Sequence, residues 1–496
     1  MGLSAGLKGA APSLSMGDSF LAFGGRRIMV FSEPIFLYLF FPIAILAISL
    51  SRGIVHSALI LTFSLSFYYW SSGFIAGLLL ASVLFNWGAA FFVRNKNRTN
   101  LWIFISLNLA ALFYFKYAIF FSAQVDGLFG TEMSWTFRNV LLPVGISFFT
   151  FQAISYLVDV YRNDVAPERN PIIFGAYLTF FPQLIAGPIV RFKDAIKYYR
   201  RPERSIDGAA AGASRFVLGL LKKVVVADTA GRVADACFAL SGSDQTFMTA
   251  WIGALAYTLQ IYFDFSAYSD MAIGLGLMFG IKFNENFARP YYASTITEFW
   301  RRWHISLSTW FRDYLYIPLG GNRGGMILTY RNLLLVFLAT GLWHGAAWTF
   351  VLWGLFHGAF LIGERIILKG SAGQMSSPWL RALYAMPVVI VGWVLFRAES
   401  LSLASSMVSN MVQFWEWGVM PRDIIAVLDP MTLGILAFGL LALVTPTGVS
   451  FGSRLTAPTA TLPIMATRLA LGTAGLAVAN VWILSADFSP FLYFRF

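Results

Sequence analysis

Four histidines occur in this chain of 496 residues, and two of them sit where proton chemistry is expected. His344 lies in TGLWHGAAWTFVLWGLFHG, beginning at Thr340, near the junction of two apolar runs. Gly341 and Gly345 flank it closely, and small residues there let a backbone or a ligand approach. An unperturbed imidazole titrates near pH 6.5, so it is the side chain best suited to move protons at neutral pH. An ionisable residue within lipid-depth sequence is a functional-site candidate by default. The alternative is a histidine bonded to a carbonyl across a helix pair.

His304 lies in EFWRRWHISLSTWFRDYLYIPLGGNRGG, beginning at Glu298. A helix through this stretch puts Arg301, His304 and Ser308 on one face at i, i+3 and i+7. Trp300, Trp303, Leu307, Trp310 and Tyr314 then form an aromatic stripe expected at a membrane interface. Arginines at that level suit lipid or nucleotide phosphates. His304 is equally compatible with helix packing. Leu319-Gly320-Gly321-Asn322 reads as a turn and not a phosphate loop, because no strand precedes it and no Gly-Lys-Ser follows.

Just upstream, LQIYFDFSAYSDMAIGLGL begins at Leu259 and aligns Gln260, Asp264 and Tyr268 on one helical face, with Ser266 and Asp270 a second pair. Carboxylates in apolar surroundings need partners. Arginines holding helices together and a catalytic role are both open for Asp264 and Asp270. His357 ranks behind His304 and His344, and His56 is expected at an interface. The lone Cys237 forbids an intrachain disulfide and any cysteine cage, and no neighbouring histidine activates it. No His-x-x-x-His pair exists, so no metal site is expected.

The elements that must carry these residues follow from composition. Charged residues make up 12% of the chain and hydrophobic ones 58%, against roughly 25% charged in soluble domains. Mean hydropathy is +0.67. This excludes a soluble enzyme and a disordered chain, and the fold class is an all-α polytopic membrane protein. The net charge of +12 reflects basic cytoplasmic loops and not nucleic-acid binding. Runs long enough to cross a bilayer occur at 34–50, 54–72, 73–93, 101–121 and 139–160. Further runs lie at 247–281 (long and expected to be broken), 325–343, 346–368, 382–397, 429–447 and 464–485. That gives ten or more spans.

Arg94, Lys96 and Arg98 are assigned to the cytoplasm, which places Arg162 there and the N-terminus outside. A second basic cluster runs from Arg191 to Arg204. The intervening stretch 171–190 is too short for two crossings, so it is predicted to be a re-entrant hairpin bent at Pro182 and Gly187-Pro188. Non-helical backbone at that depth belongs inside protein or beside water, which points to a funnel from the cytoplasm. Residues 213–238, interrupted by Lys222 and Lys223, are expected to form an interfacial helix. Residues 1–28 are rich in Gly, Ala and Ser, with no span and no signal-peptide core. They are expected to be a disordered extension or a mis-called start, with residues 29–496 forming a single membrane-embedded domain.

FWRRWHISLSTWFRDYLYIPLGGNR followed by GLWHG closely resembles the membrane-bound O-acyltransferase family. QIYFDFSAYSDMAIGLGL, LLPVGISFFTFQAISYLVDVYR and LIAGPIVRF resemble its bacterial polysaccharide branch. The likeness runs from Met29 to about Arg397, with a motif core at 139–397. It implies a dish-like ring of helices around a thin centre, with a tunnel from the cytoplasm to the outer face. It also implies that His344 is catalytic and that His304 is a second functional position. The implied activity is O-acetylation of an exopolysaccharide such as alginate at the bacterial inner membrane, with acetyl-CoA as donor and no bound cofactor. The implied partners are periplasmic or membrane-anchored O-acetylation proteins. Acetyl or D-alanyl transfer to cellulose, peptidoglycan or teichoic acid would share the same core. A transporter is the alternative from another class, since broken helices and midplane carboxylates also occur there.

Overall fold

The computed structural model describes residues 29–94, 96–368, 377–445, 462–485 and 491–492, and the expectation for residues 1–28 falls outside them. The described residues are helices and connections, with no strand among them. The apolar runs of the N-terminal third become α1 (Phe36–Leu50), α2 (Gly53–Ser72), α3 (Ala76–Val93) and α4 (Arg98–Phe129). Gly73, at φ +58°, turns the chain between α2 and α3. Met29, Val30 and Phe31 are already buried, and the Phe31 ring stacks on Tyr268 at 4.9 Å.

Helix α5 (Ile146–Arg162) begins later than the expected span 139–160 and is buried along almost its whole length. It is a core helix, not a lipid-facing one. After α6 (Pro171–Thr179) the chain bends through residues 180–191 and enters α7 (Phe192–Arg200). Gly145, at φ +74°, lies under this bend, where a Cβ would stand 2.6 Å from the Leu184 carbonyl oxygen. Only glycine satisfies both demands.

The two ends of the bent segment meet. Lys193 Nζ lies 2.9 Å from both Asp159 and Asp164, and Arg200 pairs with Glu168 at 2.6 Å. Ion pairs that join the two ends of a segment hold its entry and its exit close together. Single cysteines at Ala166 and Arg201, both exposed, in a Cys237→Ser background should therefore label from the same membrane face. Labelling from opposite faces would mean that 171–190 crosses fully.

The centre of the protein is a hairpin of two long helices. Its first arm joins α8 (Ile206–Leu221) to α9 (Asp228–Phe238) through a π-helical segment, Lys222–Ala227. Its second arm is α10 (Phe247–Phe279), 33 residues or about 50 Å at 1.5 Å per residue. Thr246 starts α10 with a capping box. One expectation is corrected here: the run 247–281 is not broken, and residues Phe247–Phe279 form one continuous helix. The reason is one set of ion pairs: Lys222 bonds Asp270 at 2.6 Å, while Lys223 bonds Asp264 and Asp228 at 2.7 Å each. The lysines that interrupt the first arm neutralise the carboxylates of the second, so both arms pass through protein. Asp264 and Asp270 are thereby structural, and lysines hold them together with Arg215, 2.8 Å from Asp270.

Two short helices, α11 (Ile296–Arg302) and α12 (Ile305–Phe311), lead to the apolar pair α13 (Gly325–His344) and α14 (Trp348–Ile367). Then come α15 (Pro378–Arg397), α16 (Leu401–Val412), α17 (Pro430–Val444) and α18 (Leu462–Ser485). Among the described residues six stretches are long and apolar enough to span, the first being the bent α2–α3 pair, and α1, α16 and α17 are shorter apolar helices. The chain is a multi-pass membrane protein. Fewer stretches qualify than the ten or more expected, because α2 and α3 form one stretch, α1 and α17 are short, and α5 has only 17 residues.

Candidate active site

His344 is the last residue of α13, and 2% of its surface is exposed. Helices α13 and α14 cross at glycines. A Cβ on Gly341 would lie 2.3 Å from the Phe350 carbonyl oxygen, and one on Gly354 2.3 Å from that of Phe337. This approach brings the α14 side chains against the end of α13. The His344 ring has Trp343 at 5.0 Å, Trp353 at 5.1 Å and Phe396 at 5.0 Å between ring centroids, each edge-on. The following Gly345 has no Cβ where the Phe350 ring passes, 2.1 Å from the position it would take.

The helix expected through residues 298–314 breaks at Trp303-His304. Trp303 is extended, and His304 adopts the left-handed region at φ +43°, ψ +55°. A non-glycine residue there costs about 1–3 kcal/mol and persists only when its surroundings impose it. Asn286 imposes it. Its backbone carbonyl accepts from Ile305 N–H at 2.9 Å, and its Oδ1 accepts from Ser306 Oγ at 2.9 Å and Ser306 N–H at 3.2 Å. The same oxygen lies 3.2 Å from His304 Nδ1, and Asn286 Nδ2 donates to Ser269 Oγ at 3.1 Å. An acceptor at Nδ1 favours the tautomer with the proton there.

The break undoes the expected Arg301–His304–Ser308 face. Ser308 turns back to the Trp303 carbonyl and Arg301 is exposed. It also withdraws Trp300, Trp303 and Trp310 from the expected interface, and all three are buried. In exchange, His304 arrives beside the end of α13. Its ring lies 6.0 Å from the Trp343 indole, which also packs on His344. Two histidines 40 positions apart thus share one indole.

His357 faces the same aromatic cluster, 5.1 Å from both Trp353 and Trp300, and its ring nitrogens have no hydrogen-bond partner among the described residues. His56 is buried against Arg204, whose guanidinium also caps the carbonyls of Ile48, Ser49 and Ser51 at the end of α1. Cys237 is buried against Gly253. Among the described residues no group of His, Cys, Asp and Glu is arranged to hold a metal.

A polar cavity of about 400 Å³ opens between α8, α10 and the loop before α11. Arg215, Lys222, Arg289 and Arg302 line it together with two carboxylates, an excess of positive charge. Asn286 and Ser269 are also in its wall, so the residue that holds His304 is reached directly from this cavity.

Motif reading missed Asn286 and Lys116. Nothing local marks Asn286 among the many polar residues between Gln260 and Arg323. Lys116 did carry a signal, as the lone charge in the apolar run 101–121.

A buried histidine pair at the end of an apolar helix, with a basic cavity against Asn286, suits group transfer by a membrane-embedded enzyme. A profile of the membrane-bound O-acyltransferase family matches residues 89–408, and the chain belongs to that family. It is an O-acyltransferase, and membership disposes of the transporter alternative. The chain is 43% identical to the probable alginate O-acetylase AlgI of Azotobacter vinelandii, over 94% of this chain and all of that protein. It is 36% identical to the peptidoglycan O-acetyltransferase of Helicobacter pylori, over 78% of this chain and 80% of that one. The teichoic acid D-alanyltransferase of Bacillus subtilis is 28% identical over 45% of this chain and 59% of its own.

Proposed function

We propose that this enzyme, in the bacterial inner membrane, transfers acetyl groups from acetyl-CoA for the O-acetylation of alginate. The observation that carries the mechanism is the placement of His344 at the protein-enclosed end of α13, with His304 against the same indole. His344 removes the proton of the acceptor hydroxyl as its oxygen attacks the acetyl carbonyl. The new C–O bond forms, the C–S bond of the thioester breaks, and the proton passes to the departing thiolate. Trp343 Nε1 is buried with no acceptor among the described residues, which suits a donor to the oxyanion. His304, held by Asn286, orients the acyl group. The basic cavity beside Asn286 suits the phosphates of the donor, since Arg and Lys are the usual phosphate partners. Enclosure by Trp and Phe excludes water, which would otherwise hydrolyse the thioester.

The polymer is inferred from 43% identity over nearly the whole chain, against the lower coverage of the peptidoglycan and teichoic acid relatives. Acetyl groups would reach alginate through periplasmic or membrane-anchored O-acetylation proteins. The test is to express the chain in an alginate-producing bacterium lacking its own AlgI and to measure acetyl esters on the exported polymer. Restored esters are expected. Membrane-inserted protein without alginate esters, but with new esters on peptidoglycan, would assign the other polymer.

A further inference from the structure

A lysine in the middle of a span requires an explanation, because a charge at membrane depth is expensive and almost always marks a pair or a functional site. Lys116 sits within α4, and among the described residues it has no carboxylate at ion-pair distance. Its three N–H donors go elsewhere. Nζ donates to the carbonyls of Trp343 and His344, the latter at 3.1 Å, and to Ser147 Oγ at 3.3 Å. The neighbouring Tyr117 hydroxyl donates to the Leu342 carbonyl.

These contacts complete the end of α13. The last four carbonyls of a helix have no partner within it, and at membrane depth water cannot supply one. Here the Gly341 carbonyl accepts from Gly345 N–H at 3.3 Å. Tyr117 serves Leu342, and Lys116 serves Trp343 and His344. All four are satisfied, three of them by two adjacent side chains of α4. The ammonium also stands at the negative end of the helix dipole, where a cation is favoured. With every proton of Lys116 engaged, no donor is left for substrate, so a direct role in the chemistry does not fit.

We propose that Lys116, assisted by Tyr117, is a positioning residue that fixes the end of α13 and thereby aims the His344 ring. This rests on His344 being the catalytic base. A base displaced by about 1 Å can cost on the order of 100-fold in rate, so Lys116 would act on turnover and leave donor affinity untouched.

The test measures acetyl transfer in membranes carrying equal amounts of folded protein, for Lys116→Met, Lys116→Arg, Tyr117→Phe and His344→Ala in parallel. Lys116→Met should lower kcat about 100-fold with the donor KM within twofold. Lys116→Arg, which keeps charge and donors, should recover most of that loss, and Tyr117→Phe should fall between. If Lys116→Met does not insert, Tyr117→Phe decides, because it removes one hydroxyl only. Wild-type kcat in an inserted Lys116→Met, or in Tyr117→Phe alone if the first fails to insert, would overturn the proposal. So would a loss that appears wholly in KM. Activity retained by His344→Ala would instead overturn the assignment of the base, so the two failures are distinguishable.

Discussion

His344→Ala is expected to abolish acetyl transfer, with a loss of about 10³-fold or more, while leaving membrane insertion and protein level unchanged. General-base catalysis by a positioned side chain contributes about 10²–10⁴-fold, and no second histidine occupies the end of α13. The structure explains why stability should survive. What Lys116 and Tyr117 hold are the carbonyls of residues 342–344, and alanine keeps that backbone and favours a helix. The ring itself packs edge-on against Trp343, Trp353 and Phe396. Polymer acetylation and immunodetected membrane protein, measured on the same cells, check both halves. Wild-type acetylation in this variant would sink the assignment.

Replacing His304 should also be severe, and the choice of substitute separates its two roles. Asparagine tolerates the left-handed backbone better than most residues, and its amide can still reach Asn286, but it carries nothing at the position of Nε2. His304→Asn is therefore expected to accumulate normally and to lose about 100-fold in turnover, the lower end of what acid–base and polar stabilisation contribute. His304→Gln, whose longer amide extends towards the Nε2 position, should retain more activity than His304→Ala. Turnover of purified, folded variants checks this. Near-normal turnover in His304→Asn would reduce His304 to a residue that shapes the turn.

The membrane class was legible from composition alone, because 12% charged residues cannot cover a soluble surface. The bend at residues 180–191 was legible from Pro182 and Gly187-Pro188, which interrupt the apolar stretch between two basic clusters. His344 was legible because an isolated histidine in apolar sequence is conspicuous at any level of reading. The break at Trp303-His304 was not. The local pattern is a good helix, and the left-handed turn exists because Asn286, 18 residues earlier, binds that stretch from outside.

The same holds for the lysine–aspartate pairs of the central hairpin. Lys222 and Lys223 look like interruptions of an apolar run until Asp270 and Asp264, more than 40 residues away, are placed opposite them. What the sequence determined by itself was the set of chemically capable residues, their depth and their family, because residue type and hydropathy are local properties. What only the tertiary structure decided was which of them meet: His304 with His344 across one indole, and Lys116 with the end of α13, 228 positions on. These are packing outcomes between separate helices, and no periodicity within one helix encodes the side chain that will arrive from another.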